Sequence, residues 1–336
     1  IILGSGLAGM VLALELSKKG YQCQIIEART FAGGRCQSAR KGTIIHELDG
    51  ERQVCNFEND QYVNHGPWRI AQEHHSTLHY CHTLGVELQP MINESAQTYL
   101  YSENIEGPLK GKPIRHVEAK IDRHGNINEL LAKCAADGSL NDKMTAEDRD
   151  MLLEHLKATG LIDRKELNYR AGRARGFKEY PGAGMNFGIL SEVYNFSDLL
   201  KVKLGSRYDT ADHPAVMFQP VGGMDQIAKA LYRSLPRRMV KFGCEVTNIA
   251  QTEDSAEITY TELKSGRERK VTGDYCISTI PFSVVTTIDN DFGPEMMGAL
   301  KSPRSAPAYK VGLQMDRRFW EKDEMIYGGV TQTDIK

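Results

Sequence analysis

The sequence has no excess of charge of either sign, with 42 lysines and arginines against 44 aspartates and glutamates. A field that draws in a polyanion needs one sign to dominate, so neither nucleic acid nor an anionic membrane is an expected partner. There is no run of about 18 apolar residues, so no membrane span is expected. There is no C-x-x-C: the seven cysteines, Cys23, Cys36, Cys55, Cys81, Cys134, Cys244 and Cys276, are scattered and odd in number. That pattern fits neither a zinc site nor a disulfide framework and favours a reducing compartment. No internal repeat or low-complexity tract is present. The chain opens in mid-strand at Ile1, with IILGSGLAGM and with no starting methionine or polar lead-in. It is read as lacking its true N-terminus, which leaves a removed export signal open and the localisation undecided. Two N-x-S triplets, at Asn93 and Asn195, are what a chain of this length carries by chance.

What is there begins with organisation. A chain of 336 residues with 40% hydrophobic content can build two or three lobes around more than one core. Residues Ile1 to Ala28 read as strand, turn, helix, strand. The apolar IIL leads into Gly4-Ser5-Gly6-Leu7-Ala8-Gly9, then a helix with Val11, Leu12, Leu14 and Leu16, then the strand YQCQIIEA. In such a unit the first glycine makes the tight turn and the second lets backbone approach a pyrophosphate. The third allows helix to pack on strand, and the helix N-terminus faces the phosphates. Glu27 ends the second strand, where a carboxylate would accept hydrogen bonds from a ribose. A dinucleotide is expected here.

After Glu27, Ala28 and Arg29 comes a second glycine pair, Gly33-Gly34-Arg35. With this element the sequence resembles the flavin-dependent amine oxidase superfamily, in which a glycine doublet and an arginine help hold the pyrophosphate and flavin of FAD. FAD, bound noncovalently, is therefore favoured over NAD. PVGGMDQIAKAL resembles the family's second glycine segment, with Gly222 and Gly223 opening an amphipathic helix from Met224 to Leu231. The run from Val240 to Pro281 reads as alternating strands with a hairpin at Lys264-Ser265-Gly266. The resemblance implies that the backbone of Val246 meets the adenine end of FAD and that YCISTIP closes the nucleotide-binding lobe. The expected fold is α/β with mixed α+β character. It comprises a Rossmann-like FAD-binding lobe (1–50 and 206–300), a mixed-sheet substrate-binding lobe (51–112 and 301–336) and a helical subdomain (113–205).

Within those insertions, VCNFEND and TYLYSENI read as short strands around a helix from Ile70 to Leu84. INELLAKCAA and AEDRDMLLEHLKATGLI read as amphipathic helices. Arg170 to Gly176 is read as a solvated basic connector. Tyr180, Phe187, Tyr194 and Phe196 are read as packing the helical lobe rather than lining substrate entry. His75, His79 and His82 share a helix face, yet no carboxylate or cysteine completes a ligand set, so no metal is expected.

Two basic residues carry the expected chemistry. Lys310 sits in SAPAYKVGLQMDRRFW, a strand-like run whose Val311, Leu313 and Met315 lean to one side. This passage resembles the stretch of amine and L-amino acid oxidases in which one lysine holds a water at the flavin N5. That pair is associated with reoxidation by oxygen, since a nearby positive charge stabilises superoxide. HGPWRI resembles the G-P-M-R segment of snake-venom-type L-amino acid oxidases, with Trp68 in place of methionine. The resemblance lays the Gly66, Pro67, Trp68 and Arg69 backbone against the flavin and gives Arg69 the substrate α-carboxylate, which its planar fork can grip bidentately.

The implied reaction is hydride transfer from Cα to FAD, followed by hydrolysis to a 2-oxo acid and ammonia, with hydrogen peroxide as the oxygen product. The substrates expected are L-amino acids, broadly those with large neutral or aromatic side chains, and oxygen; a homo-oligomer is expected. The chain ends short of the family's C-terminal part, which supplies aromatics around the substrate and the last FAD motif, so it is read as a fragment. The rivals are an amine or polyamine oxidase of the same fold, and a noncatalytic binder resembling the prenyl-GTPase escort proteins.

Overall fold

Short apolar strands lie side by side in one parallel sheet, in the order Val240–Lys241, Ile25–Ile26, Ile2–Leu3, Ile277–Ser278. Ile2 stands opposite both Ile25 and Ile277. Near-continuous apolar strands of this kind suit a sheet covered on both faces. On one face the helix Leu7–Lys18 contributes Met10 and Ala13, and the helix Asp225–Ser234 contributes Ile227, Ala228 and Leu231, to a core shared with Ile2 and Ile25. On the other, Leu3 and Ile26 pack with Val246, Ile249, Ile258 and Tyr260. Those last residues come from a mixed sheet in the order Arg267–Gly273, Ala256–Glu262, Cys244–Gln251, Asp289–Asn290. Its first two strands form the expected hairpin, turning at Gly266 with φ +67°. The architecture is the expected α/β one, and the parallel sheet is the frame on which the glycine loops hang.

This is a computed structural model, which describes residues 1–47, 50–204, 210–305 and 308–335. The expected lobe boundary at residue 206, and Ala306 and Pro307 of the run before Lys310, lie outside the described residues. Compactness divides the chain into two units, one of Ile1–Met91 with Met217–Asp316, the other of Ile92–Val216 with Arg317–Lys336. The second unit is built on the helices His116–Ala136 and Ala146–Ala158. Leu156 and Ile162 pack with Ala132 in one core, while Leu100, Ile114, Ala119 and Leu199 form another. Gly125 sits inside the longer helix because a Cβ there would overlap the Tyr169 ring. No helix among the described residues is long and apolar enough to cross a membrane.

Several local expectations are corrected. The helix expected from Ile70 spans only His75–Thr83, because Ile70 instead exchanges two main-chain hydrogen bonds with Phe218, each 2.8 Å. The run after Lys310 forms no strand; Val311 and Leu313 are 73% and 78% exposed, so among the described residues nothing covers its apolar side. Arg175 does not belong to a solvated connector: it is 1% exposed and paired with Asp122 and Glu118. Tyr180 and Phe187 are exposed rather than packed, whereas Tyr194 is anchored to Glu118 at 2.7 Å. Asn93 is fully buried, which removes it as a glycan acceptor, and Asn195 caps the helix Phe196–Lys201.

Candidate active site

The three glycines of the first turn have three separate reasons. Gly4 has φ +93°, a left-handed conformation that side chains disfavour. A Cβ at Gly9 would run into the Gly4 carbonyl, so only glycine lets the helix sit this close to its strand. At Gly6 a Cβ would meet nothing within 4 Å, so bare backbone faces open space there. That space lies at the N-terminus of the 12-residue helix Leu7–Lys18, whose first N–H groups lack intrahelical acceptors. Leu7 and Ala8 form its first turn.

The second glycine pair lies against the first. Gly6 and Gly33 form a parallel bridge, the Gly33 N–H donates to the Ser5 carbonyl at 2.9 Å, and a Cβ on Gly34 would come 3.2 Å from the Gly6 Cα. Glu27, buried at the end of its strand, accepts from the Ser5 N–H and hydroxyl at 2.7 and 2.8 Å and from the Arg29 N–H at 2.8 Å. A carboxylate offers about four lone-pair sites, so one remains for a further donor. Arg29 reaches across to the Gly34 carbonyl at 2.8 Å. Arg35 is exposed, and its guanidinium takes no partner among the described residues. Val246 belongs to the same end of the sheet, since the Cys244 and Gly243 N–H groups donate to the Glu27 and Arg29 carbonyls. Its strand shifts register between Val246 and Asn248. Open backbone at a helix N-terminus, a spare carboxylate site and an uncommitted arginine fit a dinucleotide.

The segment HGPWRI runs beside the Gly33-Gly34-Arg35 loop. A Cβ on Gly66 would overlap the Arg35 carbonyl, so glycine is what permits this contact. Trp68, 38% exposed, has two cations close to its ring: the Arg69 guanidinium lies 4.9 Å and the Lys310 ammonium 5.5 Å from the centroid. Such cation–π contacts hold charges over a ring without neutralising them. Lys310 donates to the Gly66 carbonyl and, at 3.4 Å, to that of Asn64, and it has no carboxylate partner among the described residues. Burial first, and Arg69 second, push its amine below the ordinary lysine range. The neighbouring His65 is pushed down by burial, then by Lys310 and Arg29, with Glu47 opposing. The His65 Nε2 is buried without a hydrogen-bond partner among the described residues. Arg29 and Lys310 thus both act on His65, and Arg69 acts on Lys310.

The structure thus gathers the expected residues from the Gly4–Gly9 turn, the Gly33–Arg35 loop, the Gly66–Arg69 segment and Lys310 into the first unit. It also shows residues that local pattern had not flagged. Asn64, Ser38, Arg40 and Asp225 form a polar cluster behind the site, and a pairing 185 residues apart leaves no local signature. His65 was visible, since it stands inside the same hexapeptide. A cavity of about 820 Å³ in this unit, with Leu3, Ile280, Phe282, Val285 and Met296 in its wall, includes none of the expected site residues, and the chemistry argues for the exposed Trp68 surface instead. Among the described residues no group of three His, Cys, Asp or Glu side chains is placed to hold a metal.

The model of the flavin containing amine oxidoreductases matches residues 7–335. The chain is 26% identical over 352 aligned positions to L-amino acid oxidase bordonein-L of Crotalus durissus terrificus, across 100% of this chain and 61% of that protein. It is equally 26% identical to L-amino acid oxidase Cdc18 of Crotalus durissus cumanensis, across 100% and 63%. The chain therefore spans about three fifths of the length of the curated relatives it matches. Among solved structures, cyclohexylamine oxidase from Brevibacterium oxydans aligns with 14% identity and a TM-score of 0.46, over 89% of this chain and 62% of that one.

Proposed function

The chain belongs to the flavin-containing amine oxidoreductase family, and on that premise we propose that it is an FAD-dependent L-amino acid oxidase. It would convert L-amino acids, water and oxygen to 2-oxo acids, ammonia and hydrogen peroxide. FAD would be held noncovalently by the Gly4–Gly9 turn, Glu27, Ala28 and Arg29, the Gly33–Arg35 loop, the Gly66–Arg69 backbone and Val246. Once bound there, it supplies the two-electron acceptor that no side chain provides. Arg69 would bind the substrate carboxylate, and Lys310 would hold positive charge and a water where oxygen reacts.

The observation that carries the amino acid reading is the pair of cations on Trp68. A simple amine arriving as an ammonium meets repulsion there. An amino acid brings a carboxylate that Lys310, held only by carbonyls among the described residues, attracts, and a guanidinium fork can fix its orientation and hence that of Cα–H. The names of the relatives point the same way.

The test is a peroxide-release screen over L-amino acids, their D-forms and several amines, run on yellow protein. L-Amino acids are expected to turn over. Arg69→Ala should lower their kcat/KM by about a hundredfold, as losing one member of a buried charge pair does, with little effect on any amine. Turnover of amines alone sinks the reading, and a colourless protein would indicate a binder.

A further inference from the structure

Behind the Lys310 site lies a hydrogen-bonded hub. The Asn64 Oδ1 accepts from the Ser38 hydroxyl at 2.6 Å and from the Met224 N–H at 3.0 Å. A main-chain N–H can only donate, so this contact alone fixes which end of the amide is oxygen. The Ser38 hydroxyl also accepts from the Asp225 N–H at 3.3 Å, at the start of the helix Asp225–Ser234. Arg40 clamps the same corner bidentately, at 2.8 and 2.9 Å to the two Asp225 oxygens, and donates to the Ser38 and Gly222 carbonyls. Gly223, at φ +112°, lets these groups meet, since a Cβ there would lie 2.6 Å from the Ser38 hydroxyl.

The side chain of Asn64 thus ties the segment to two other parts of the first unit, while its main-chain carbonyl and that of Gly66 receive the Lys310 amine. Lysine has a flexible four-carbon stem, and its head goes where its acceptors are. Fixing those acceptors fixes the ammonium, and misplacing a reacting group by about 1 Å can cost orders of magnitude in rate.

We propose that Asn64 is a positioning residue for Lys310: it locks the 64–66 backbone through Ser38 and Met224, so that the two carbonyls present the lysine amine at one place. The proposal rests on the reading of Lys310 as the cation beside the flavin.

The test uses the full-length, FAD-loaded protein and five variants, Asn64→Ala, Asn64→Asp, Ser38→Ala, Lys310→Met and the Asn64→Ala/Lys310→Met double. Reoxidation of the dithionite-reduced protein by oxygen is followed in stopped flow. Asn64→Ala should slow it by about tenfold. Asn64→Asp, which keeps the accepting oxygen at a helix N-terminus that tolerates negative charge, should restore it to within about threefold. Adding Asn64→Ala to Lys310→Met should change nothing further, because the two act through one group. Independently of turnover, acetic anhydride labelling of Lys310 in flavin-free protein should speed up by about tenfold in Asn64→Ala, as the ammonium loses the fixed carbonyls that favour its charged, unreactive form. If Lys310→Met slows reoxidation while Asn64→Ala leaves both rate and labelling at wild-type values, Asn64 does not position the lysine. If Lys310→Met itself reoxidises normally, the reading of Lys310 fails and takes the proposal with it. Should Asn64→Ala not fold, Ser38→Ala decides by the same comparison, having lost one of the two bonds.

Discussion

Of the places where a cation lies over an aromatic ring, two are built for opposite purposes. In the first unit Lys310 and Arg69 lie over Trp68; in the second, Arg175 lies 4.6 Å from the centroid of Tyr194. Arg175 is enclosed by counter-charge. Its Nε donates to Asp122 at 2.8 and 2.9 Å, its Nη1 reaches Ser191, and Glu118 stands 3.6 Å away. Asp122 takes further bonds from the Tyr169 hydroxyl and the Tyr194 N–H, both 2.7 Å. Among the described residues Lys310 has only carbonyls for acceptors, and a second cation stands nearby. A cation buried among carboxylates has its charge spent inside the fold, whereas one held by carbonyls on an exposed ring keeps its charge for something that arrives.

The largest expected effect breaks that comparison at the paired end. Arg175→Met leaves Asp122 and Glu118 buried without their cation and should cost about 3–5 kcal/mol in urea unfolding. Lys310→Met removes a charge with no counter-charge among the described residues and should cost under about 1 kcal/mol. Equal losses in the two variants would show that the distinction drawn from geometry has no energetic counterpart.

A smaller effect sharpens the comparison through two glycines. Gly66→Ala sets a Cβ against the Arg35 carbonyl, which is backbone and cannot rotate away, whereas Gly125→Ala meets the Tyr169 ring. Each should cost about 1–3 kcal/mol of stability. Only Gly66→Ala, by moving the segment that carries Trp68, Arg69 and the Lys310 acceptor, should also lower the flavin absorbance per chain. Loss of flavin from both variants would point to general loosening instead.

These contrasts also mark what was legible in the sequence. The Gly4–Gly9 turn, Glu27 and the Lys264–Gly266 hairpin are local devices whose residue types follow from a turn or strand end, and their spacing exposes them. HGPWRI stood out because a charge between apolar residues is locally anomalous. The Ser38–Asn64–Met224 hub and the Arg40–Asp225 clamp join residues far apart in the chain, and a polar residue that is satisfied at long range looks like any surface residue. Arg175 misled for the same reason: among Arg170 and Arg173 it read as one more solvated charge, while the carboxylates that bury it lie on a helix some 53 residues earlier. The strand expected after Lys310 failed for lack of a partner, since alternation marks a face and says nothing of what covers it.

The smallest effect tests the same contrast by pH. Burial and then Arg69 hold the Lys310 amine below the ordinary lysine value, so in the window beneath about pH 10.4 the unfolded chain carries more protons than the folded one. Stability from this residue therefore rises with pH, and the wild type minus Lys310→Met difference should climb through that window. Burial, and then the hydrogen bond to Glu118, hold the Tyr194 phenol above its ordinary value. The folded chain keeps a proton that the unfolded chain releases near pH 10, so the wild type minus Tyr194→Phe difference should be full below that pH and fall above it. Taking differences cancels the buried thiols, among them Cys36, whose folded value is raised to about 12. Urea midpoints of the three proteins across alkaline pH measure both slopes. Opposite signs match a cation waiting for an anion and a phenol already committed to one; slopes of the same sign would mean that the two clusters are alike after all.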